Sequence, residues 1–481
     1  MNFQKLLMEA GEGRQIKIHS GSVEPGDIFV AIPGTKLNGG QFIPEALERG
    51  ASMVLSDRSQ AERYPGKVVV GHENPAMALG ELARAHYHTD RLGLSIIGIT
   101  GTNGKTTTSY LLEHIFQNNQ LKTGIIGTVN YRWSGTVLDA PTTTPDCLML
   151  HEVLSRMDKD GVEMVVMEVS SHALAQDRVA GVGFDAGVFT NLSQDHLDYH
   201  QDMNQYFQAK SKLFLNQKNK ESFTAVINRD DEYGRRLLQS VPRAMSFGME
   251  GQVSDHLQGR IDKNDRHGLN IDCIYKDKSW TIKSALCGLH NGYNLLAAQG
   301  AALCMGLEPE QFQCLEYAGQ TPGRMEKVGG RHDLDVYIDY AHTPDALEKV
   351  CLSVKNMGFN RLIVLFGCGG NRDKSKRPVM GLVASKLADA VFLTSDNPRD
   401  EDPLKIIEQI RAGINGYSEL YVEPDRRKAI KMAIELMHPG DALIIAGKGH
   451  ESYQEVKGVR SSFSDAEEAG KVLEIIKQVQ L

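Results

Sequence analysis

The sequence lacks the marks of a secreted, membrane-spanning or disulfide-stabilised protein. Its 481 residues include seven scattered cysteines without a CxxC pair, so neither a disulfide framework nor a zinc site is indicated. No apolar run reaches the length of a membrane span, and residues 1–10 lack the hydrophobic region of a signal peptide. We therefore predict a cytoplasmic protein without membrane insertion.

An excess of positive charge is also lacking. The chain carries 53 Lys and Arg residues against 61 Asp and Glu residues, and no basic run stands out. This balance argues against a nucleic-acid partner. Hydrophobic residues make up 41% of the chain, which allows an ample buried core, and a chain of this length typically forms about three domains.

One glycine-rich motif stands out at residues 98–108, between an apolar run and a segment with apolar residues at helical spacing. A glycine loop between a strand and a helix binds phosphate through backbone N–H groups. Lys105 would reach the distal phosphates, and the Thr106 hydroxyl would ligate Mg²⁺. The general phosphate-loop pattern requires glycine where this chain has Ile99, so a tight turn with an incidental lysine is the alternative.

The order of apolar and polar segments predicts an α/β protein of three domains. Residues 1–90 form a small α/β unit, residues 91–325 alternate strands and helices, and residues 326–481 repeat that alternation. Such alternation predicts parallel sheets with helices on both faces. Ligands bind these sheets at the carboxyl ends of the strands.

Polar residues at strand ends of the middle region extend the predicted phosphate site. Glu168 ends one apolar strand segment, where an acid commonly holds Mg²⁺; a helix N-cap or a surface acid is the alternative. His196 follows the next strand and would more often be a polar core or surface residue, but Asp195 beside it favours a site. Lys210, by contrast, has the pattern of a helix-surface lysine.

Four loops that follow apolar strands of the C-terminal region carry charged or amide side chains. Asp339 could accept ribose hydroxyls or cap the next helix. Four such loops at corresponding positions of one sheet edge indicate a site for a zwitterionic ligand. Its carboxylates would contact Arg372 or Arg399, and its ammonium groups would contact Asp396 or Glu451.

Together these motifs resemble the Mur ligase family over essentially the whole chain. Residues 101–107 have that family's form of the phosphate loop, which accounts for Ile99, and further signatures follow in the family's order. They lie at residues 168–172, 190–198, 290–294, 322–326 and 339–342. The segment Asp396-Asn397-Pro398-Arg399 narrows the resemblance to members that add meso-diaminopimelate.

The resemblance implies a UDP-binding N-terminal domain, a central ATPase domain with a parallel sheet and a phosphate loop, and a Rossmann-like C-terminal domain for the amino acid. It implies a ligase of peptidoglycan precursor synthesis that uses ATP and Mg²⁺. UDP-MurNAc-L-Ala-D-Glu, ATP and meso-diaminopimelate would give the tripeptide, ADP and phosphate through an acyl phosphate. We expect a monomer with small-molecule substrates.

The resemblance also assigns roles to individual residues. The ATP contacts would be Gly101, Thr102, Asn103, Gly104, Lys105, Thr106, Thr107, Asn291, Asn294, Arg324 and Asp339. The metal ligands would be Thr106, Glu168, His196 and Lys210 as a carbamate, and the catalytic residues Lys105, Glu168, His196 and Lys210. The UDP-sugar peptide would contact Ser20, Thr143, Thr144, Ser170, Gln176 and Arg178. Diaminopimelate would contact Arg372, Asp396, Asn397, Pro398, Arg399, Gly447 and Glu451.

The sequence departs from the family pattern at one place, and three alternative functions remain open. Where the family usually has Asp-Ser-Arg, this chain has His19-Ser20-Gly21, so the uridine contacts are open. The alternatives are the same ligase adding L-lysine, a folylpolyglutamate synthetase-like ligase, and a non-catalytic nucleotide-binding regulator. Arg399 favours diaminopimelate because it would pair the distal carboxylate that lysine lacks. The N-terminal domain disfavours the folate enzyme, and the lack of an N-K-x-D guanine motif disfavours the regulator.

Overall fold

A computed structural model describes residues 2–34, 37–65, 68–217, 220–241, 243–251, 256–329, 334–416 and 418–480, with backbone alone at 198 and 478–480. Three α/β units follow one another along this described part, each with its own main sheet. The predicted α/β class is confirmed. The domain boundaries near residues 90 and 325 fall between these sheets and stay predictions. Among the described residues, no helix is long and apolar enough to cross a membrane.

The N-terminal unit has a parallel sheet in the order β1-β2-β3-β4. Its strands are β1 (Ile16–Lys17), β2 (Ile28–Val30), β3 (Met53–Asp57) and β4 (Val69–His72). Its helices are α1 (Phe3–Gly11), α2 (Ile43–Glu48), α3 (Arg58–Ala61) and α4 (Pro75–Tyr87). Asn74 starts α4 by accepting hydrogen bonds from Ala76 and Met77, and Pro75 suits the first turn.

The central unit has the strand order β15-β14-β13-β12-β11-β10-β5-β9-β6-β7-β8. Its strands are β5 (Ser95–Thr100), β6 (Thr123–Ile126), β7 (Asn130–Trp133), β8 (Thr136–Asp139), β9 (Met164–Glu168), β10 (Ala186–Phe189), β11 (Thr224–Asn228), β12 (Ala244–Gly248), β13 (Leu257–Asp265), β14 (Gly268–Tyr275) and β15 (Lys278–Ser284). Its helices are α5 (Lys105–Asn118), α6 (Cys147–Lys159), α7 (Ser171–Ala175), α8 (Leu197–His200), α9 (Met203–Leu215), α10 (Glu232–Leu238) and α11 (Leu289–Cys304).

The central sheet is parallel through its middle strands, as predicted, and antiparallel at both edges. β7 pairs antiparallel with β6 and β8, and β14 pairs antiparallel with β13 and β15. The physical reason is short turns that leave no room for a crossover helix. Ser134 and Gly135 join β7 to β8, and both have the positive φ of a tight hairpin turn.

Helices cover both faces of the central sheet, as predicted. α5 and α11 contribute to the apolar core on one face, while α6 and α9 contribute to the core on the other. The middle strands are buried on both faces, which explains why their sequences are nearly continuous apolar runs. The carboxyl ends of β5, β9 and β10 therefore share one edge, where the phosphate loop begins.

The C-terminal unit has the strand order β16-β17-β21-β18-β19-β20, with a separate hairpin. Its strands are β16 (Glu326–Val328), β17 (Asp335–Asp339), β18 (Leu362–Phe366), β19 (Ala390–Leu393), β20 (Glu419–Val422), β21 (Ala442–Ala446), β22 (Tyr453–Val456) and β23 (Val459–Ser462). Its helices are α12 (Pro344–Lys355), α13 (Lys376–Leu387), α14 (Pro403–Arg411), α15 (Arg426–Glu435) and α16 (Asp465–Gln480). β17 to β21 run parallel and bring the four predicted loops to one edge.

Candidate active site

The phosphate loop is held by the end of β10. Gly101 has a φ of +150°, and a Cβ atom there would overlap the Thr190 hydroxyl, so glycine is required. Thr190 Oγ1 donates to the Asn103 carbonyl at 2.6 Å, and Asn103 N–H donates to Asn191 Oδ1 at 3.0 Å. The loop then enters α5 at Lys105. Strand, glycine loop and helix thus adjoin in the arrangement that binds phosphate.

Lys105 and Thr106 face the interior of this loop. Lys105 Nζ donates to the carbonyls of Gly101 and Thr102 at 2.9 Å each. Burial lowers the pKa of Lys105, while the Glu168 carboxylate opposes that shift. The Lys105 ammonium is therefore held inside the loop rather than in solvent, which favours the predicted phosphate contact over an incidental lysine at a tight turn.

Glu168 is a buried carboxylate that side-chain hydroxyls surround. It is 1% exposed, and its Oε2 accepts hydrogen bonds from Thr106 Oγ1 at 3.0 Å and Thr128 Oγ1 at 2.9 Å. The N-cap and surface alternatives are wrong, because Ser170 is the residue that caps α7. An oxygen pair from Thr106 and Glu168 fits Mg²⁺, which commonly takes one or two carboxylates plus phosphate oxygens.

His196 lies across the mouth of the loop, with a positive φ of 55°. Its Nε2 is 3.4 Å from Asp195 Oδ2, and its ring packs edge-on against His172 at 4.8 Å between centroids. Burial lowers the pKa of His196 despite the Asp195 carboxylate, so the ring is neutral at pH 7 and can offer a lone pair. Among the described residues, no group of three or more His, Cys, Asp and Glu side chains could hold a metal ion alone.

Lys210 is buried beneath the loop, so its interpretation as a helix-surface lysine is wrong. Its side chain lies on the inner face of α9, is 2% exposed, and donates through Nζ to the Gly101 carbonyl at 2.8 Å. Burial and the nearby Lys105 ammonium place the pKa of Lys210 well below its usual value. Tyr206, Lys210 and Leu213 share one helical stripe, and the two apolar members are buried, but this spacing alone does not distinguish a buried lysine from an exposed one.

Five of the six predicted sugar-peptide residues cluster beside Glu168. Thr144 Oγ1 donates to the Glu168 carbonyl at 2.9 Å and accepts from Ser170 N–H at 3.0 Å. Arg178 Nη1 donates to the Thr144 carbonyl at 3.2 Å, and Arg178 Nε donates to Gln176 at 2.9 Å. Thr143 contacts Thr128 at 3.1 Å.

Ser20 is the sixth, and it lies in the N-terminal unit. Its hydroxyl donates to Glu45 Oε2 at 2.6 Å on the surface, so the structure does not bring it into the cluster around Glu168. Its role as a uridine contact stays a prediction.

A cavity of about 590 Å³ opens between the central and C-terminal units. Its lining includes the predicted residues Thr102, Asn103, Gly104, Lys105, Thr107, Thr143, Ser170, His196, Asn291, Asn294, Arg324 and Asp339. Asn294 donates to Asn291 Oδ1 at 3.0 Å at the start of α11. The volume and the polar lining suit a nucleotide.

Asp339 and Arg324 form the C-terminal wall of this cavity. Asp339 accepts from the N–H groups of Met325 and Ala341 at 2.8 Å each, and burial raises its pKa. It does not cap α12, because Thr343 does. The Arg324 guanidinium stacks on Tyr340 at 4.7 Å and reaches Thr106 Oγ1 at 3.4 Å.

A second polar site lies at the carboxyl edge of the C-terminal sheet. Asn397 donates to Glu451 Oε2 at 2.8 Å, and Gly447 packs against the buried Asp396 carboxylate. Arg399 donates to the Gly370 carbonyl at 2.8 Å, and the Pro398 carbonyl packs against Gly370. Arg372 is exposed at the rim. The structure thus places the loops of all seven predicted residues at one sheet edge, and the role of each residue in binding the amino acid stays a prediction.

Sequence reasoning missed two residues of these sites. Lys448 has no exposed side-chain surface and donates to both Asn397 Oδ1 and Glu451 Oε2 at 3.1 Å. Its position between Gly447 and Glu451 was an available signal. Asp345 of α12 accepts from Asn103 at 3.1 Å and Ser193 at 2.7 Å. No sequence signal could reveal that contact, which joins residues 242 positions apart.

The fold and this site define a phosphate-loop enzyme with a separate polar site at the edge of its C-terminal sheet. Profiles described as "Mur ligase family, catalytic domain", "Mur ligase middle domain" and "Mur ligase, glutamate ligase domain" match residues 14–87, 99–302 and 323–449. The chain belongs to the Mur ligase family. It is therefore an ATP-dependent amide ligase, and the resemblance noted in the sequence is confirmed.

Two curated relatives are similar over nearly the whole chain. A protein of Lawsonia intracellularis (strain PHE/MN1-00) is 47% identical over 95% of each chain. One of Aquifex aeolicus (strain VF5) is 44% identical over 95% of this chain and 93% of its own. Both are named UDP-N-acetylmuramoyl-L-alanyl-D-glutamate–2,6-diaminopimelate ligase.

Solved structures agree on the fold. A structure of a ligase of the same name is 33% identical, with a TM-score of 0.69 over 96% of this chain and 95% of its own. The MurF ligase of Thermotoga maritima in complex with ADP is 20% identical, with a TM-score of 0.61 over 99% of both chains. The second likeness supports the fold alone.

Proposed function

We propose that this chain adds meso-diaminopimelate to UDP-MurNAc-L-Ala-D-Glu at the expense of ATP, in peptidoglycan precursor synthesis. The observation that carries the proposal is the second polar site, where the loops that carry Arg372 and Arg399 lie at the same sheet edge as Asp396 and Glu451. Diaminopimelate is zwitterionic at both ends, so it needs two carboxylate partners and two ammonium partners. The names of relatives at 47% and 44% identity support the same substrate.

In the first step, a carboxylate oxygen of the D-Glu residue attacks the γ-phosphorus of ATP. The bond from that phosphorus to the bridging oxygen breaks, and ADP leaves with the electron pair. Lys105 and Arg324 would neutralise the phosphate charge, and Thr106 and Glu168, with His196 beside them, would hold Mg²⁺. When bound, Mg²⁺ would supply further charge neutralisation. The residues around Thr144 and Arg178 would orient the dipeptide carboxylate.

In the second step, the amine of diaminopimelate attacks the acyl-phosphate carbonyl. A tetrahedral intermediate forms, phosphate leaves with the electron pair, and the nitrogen gives its extra proton to water. The residues at the edge of the C-terminal sheet would hold the amino acid, so that its free amine faces the cavity. Positioning of this kind replaces a bimolecular encounter and supplies much of the rate.

We further propose that Lys210 carries a carbamate. The amine nitrogen adds to the carbon of CO₂ and loses a proton, which converts a buried cation into a carboxylate. That anion would face Lys105 across the Gly101 carbonyl, and it would hold or orient a second metal. The resemblance supplies this role, and the enclosed position of Lys210 supports it. The monomeric state and cytoplasmic location stay predictions.

Phosphate release tests the proposed function. The protein is mixed with ATP, Mg²⁺ and UDP-MurNAc-L-Ala-D-Glu, and then with meso-diaminopimelate, L-lysine or no amino acid. We expect release to depend strongly on diaminopimelate. Release with lysine but not diaminopimelate would overturn the substrate assignment. An absence of release with either amino acid would favour a nucleotide-binding regulator, and release with a folate and glutamate would favour the folate ligase.

A further inference from the structure

An ion pair between a buried arginine and a partly buried glutamate joins the two loops that carry Arg372 and Arg399. The first loop runs from β18 to α13, and the second runs from β19 to α14. Arg377, in the first turn of α13, has no exposed side-chain surface, and the Glu401 side chain in the second loop is 18% exposed. Arg377 donates to Glu401 through Nη1 at 2.9 Å and through Nη2 at 3.0 Å. This two-pronged geometry is directional and specific.

The same pair holds the backbone of the first loop. Arg377 Nη2 donates to the Gly369 carbonyl at 3.1 Å, and Asn371 N–H donates to Glu401 Oε1 at 2.6 Å. Residues on both sides of Gly370 are therefore tied to one carboxylate and one guanidinium. Arg372 directly follows Asn371 in the chain. The backbone position from which the Arg372 side chain extends is therefore fixed relative to the second loop.

The loops also contact one another directly. Gly370 N–H donates to the Asn397 carbonyl at 2.9 Å, and Arg399 Nη1 donates back to the Gly370 carbonyl at 2.8 Å. A Cβ atom at Gly370 would overlap the Pro398 carbonyl. Arg399 itself has a positive φ of 51°, which a non-glycine residue keeps only when its surroundings hold it.

We propose that the Arg377–Glu401 pair sets the spacing between Arg372 and Arg399 and thereby selects diaminopimelate over lysine. Arg377 and Glu401 are positioning residues, since they contact the two loops rather than the amino acid. The inference rests on the proposed function, because it concerns the carboxylates of that substrate. A purely structural ion pair is the competing explanation, and it would affect stability without affecting selection.

The test compares Glu401→Gln and Arg377→Lys with the control Asp441→Asn. Asp441 accepts from Arg361 at 2.8 Å and 3.1 Å, and this pair lies at the opposite, amino-terminal end of the same sheet. For both loop variants we expect the KM for diaminopimelate to rise about tenfold, and the preference for diaminopimelate over lysine to fall by a similar factor. The KM values for ATP and the UDP-sugar peptide should change less than about twofold.

Thermal unfolding separates positioning from stability. Asp441→Asn should lower the unfolding temperature by as much as Glu401→Gln, yet leave all three KM values unchanged. The inference is overturned if folded loop variants keep the wild-type preference for diaminopimelate over lysine. It is also overturned if kcat falls and the KM values for all three substrates rise together. A wild-type enzyme that uses lysine and diaminopimelate with equal efficiency would instead overturn the proposed function. Arg377→Lys keeps the charge, so it still tests the geometry if Glu401→Gln fails to fold.

Discussion

The buried environment of Lys210 changes the protonation and the reactivity of its amine. Lys210 lies beneath the phosphate loop, within hydrogen-bond distance of Gly101, and burial lowers its pKa by disfavouring the ammonium form. Lys210→Ala should abolish ligase activity, because a carbamate can no longer form. Added formate or acetate should restore part of the activity by supplying a carboxylate in the vacated space, measured as phosphate release.

Lys212 offers a matched control on the same helix. Its side chain is 40% exposed and pairs with Asp177 at 3.2 Å, away from the loop. Lys212→Ala should keep activity and gain nothing from formate. Active wild-type enzyme whose intact mass lacks an added CO₂ would contradict the carbamate.

Arg399 is the residue expected to choose the amino acid. A charge-assisted hydrogen bond is worth about 1.5–3 kcal/mol, so Arg399→Ala should raise the KM for diaminopimelate about 10- to 100-fold. The value of kcat should change little, because Arg399 is distant from phosphoryl transfer in the proposed mechanism. Steady-state kinetics with varied diaminopimelate measures both. Arg411→Ala, at an exposed arginine that ends α14, should change neither value.

The contrast between Glu168 and Lys210 shows how far residues can be interpreted from sequence. Glu168 ends an apolar run, and that pattern alone predicted a buried acid at a sheet edge, as observed. Lys210 follows a helical pattern that fits exposure as well as burial. Its burial depends on how α9 packs beneath the loop, which is a tertiary contact, so only the family resemblance singled it out.

At the scale of elements, the phosphate loop depends on its contact with β10. Gly101 combines a positive φ with a close approach to Thr190. Gly101→Ala should therefore displace the loop, lower kcat/KM for ATP by at least about 100-fold, and leave the sheet intact. Calorimetric binding of an ATP analogue measures the effect. Gly319→Ala, with no atom within 4 Å of the added methyl group, should bind the analogue normally.

Element positions were predicted well where packing decides them locally. β18 and β21 fall on uninterrupted apolar segments of the C-terminal region, because both strands are buried on both faces. The antiparallel edges of the central sheet were missed. One hairpin turn there is formed by Ser134 and Gly135. Because the rest of the region alternates strands and helices, the sequence pattern did not indicate hairpins.

At the scale of the whole molecule, Asp345 links the C-terminal unit to the phosphate loop. It accepts from Asn103 and Ser193 of the central unit, and it pairs with Lys349 on its own helix at 2.9 Å. The Asp345 carboxylate is therefore a direct contact between the central and C-terminal units beside the cavity. If the C-terminal unit swings away, Asn103 loses this partner, so loop geometry and closure are coupled.

Asp345→Ala should weaken closure without unfolding either unit, because each partner lies near water and can be solvated. Both hydrogen bonds go to the Asp345 carboxylate, and because all three side chains lie near water their loss should cost about 2–3 kcal/mol, so the ligase rate should fall roughly 30- to 100-fold. Small-angle scattering with an ATP analogue should show a more extended average shape than for wild type. Glu348→Ala, at an exposed acid on the same helix, should retain both compactness and rate. A fully active Asp345→Ala enzyme would show that closure does not depend on this contact.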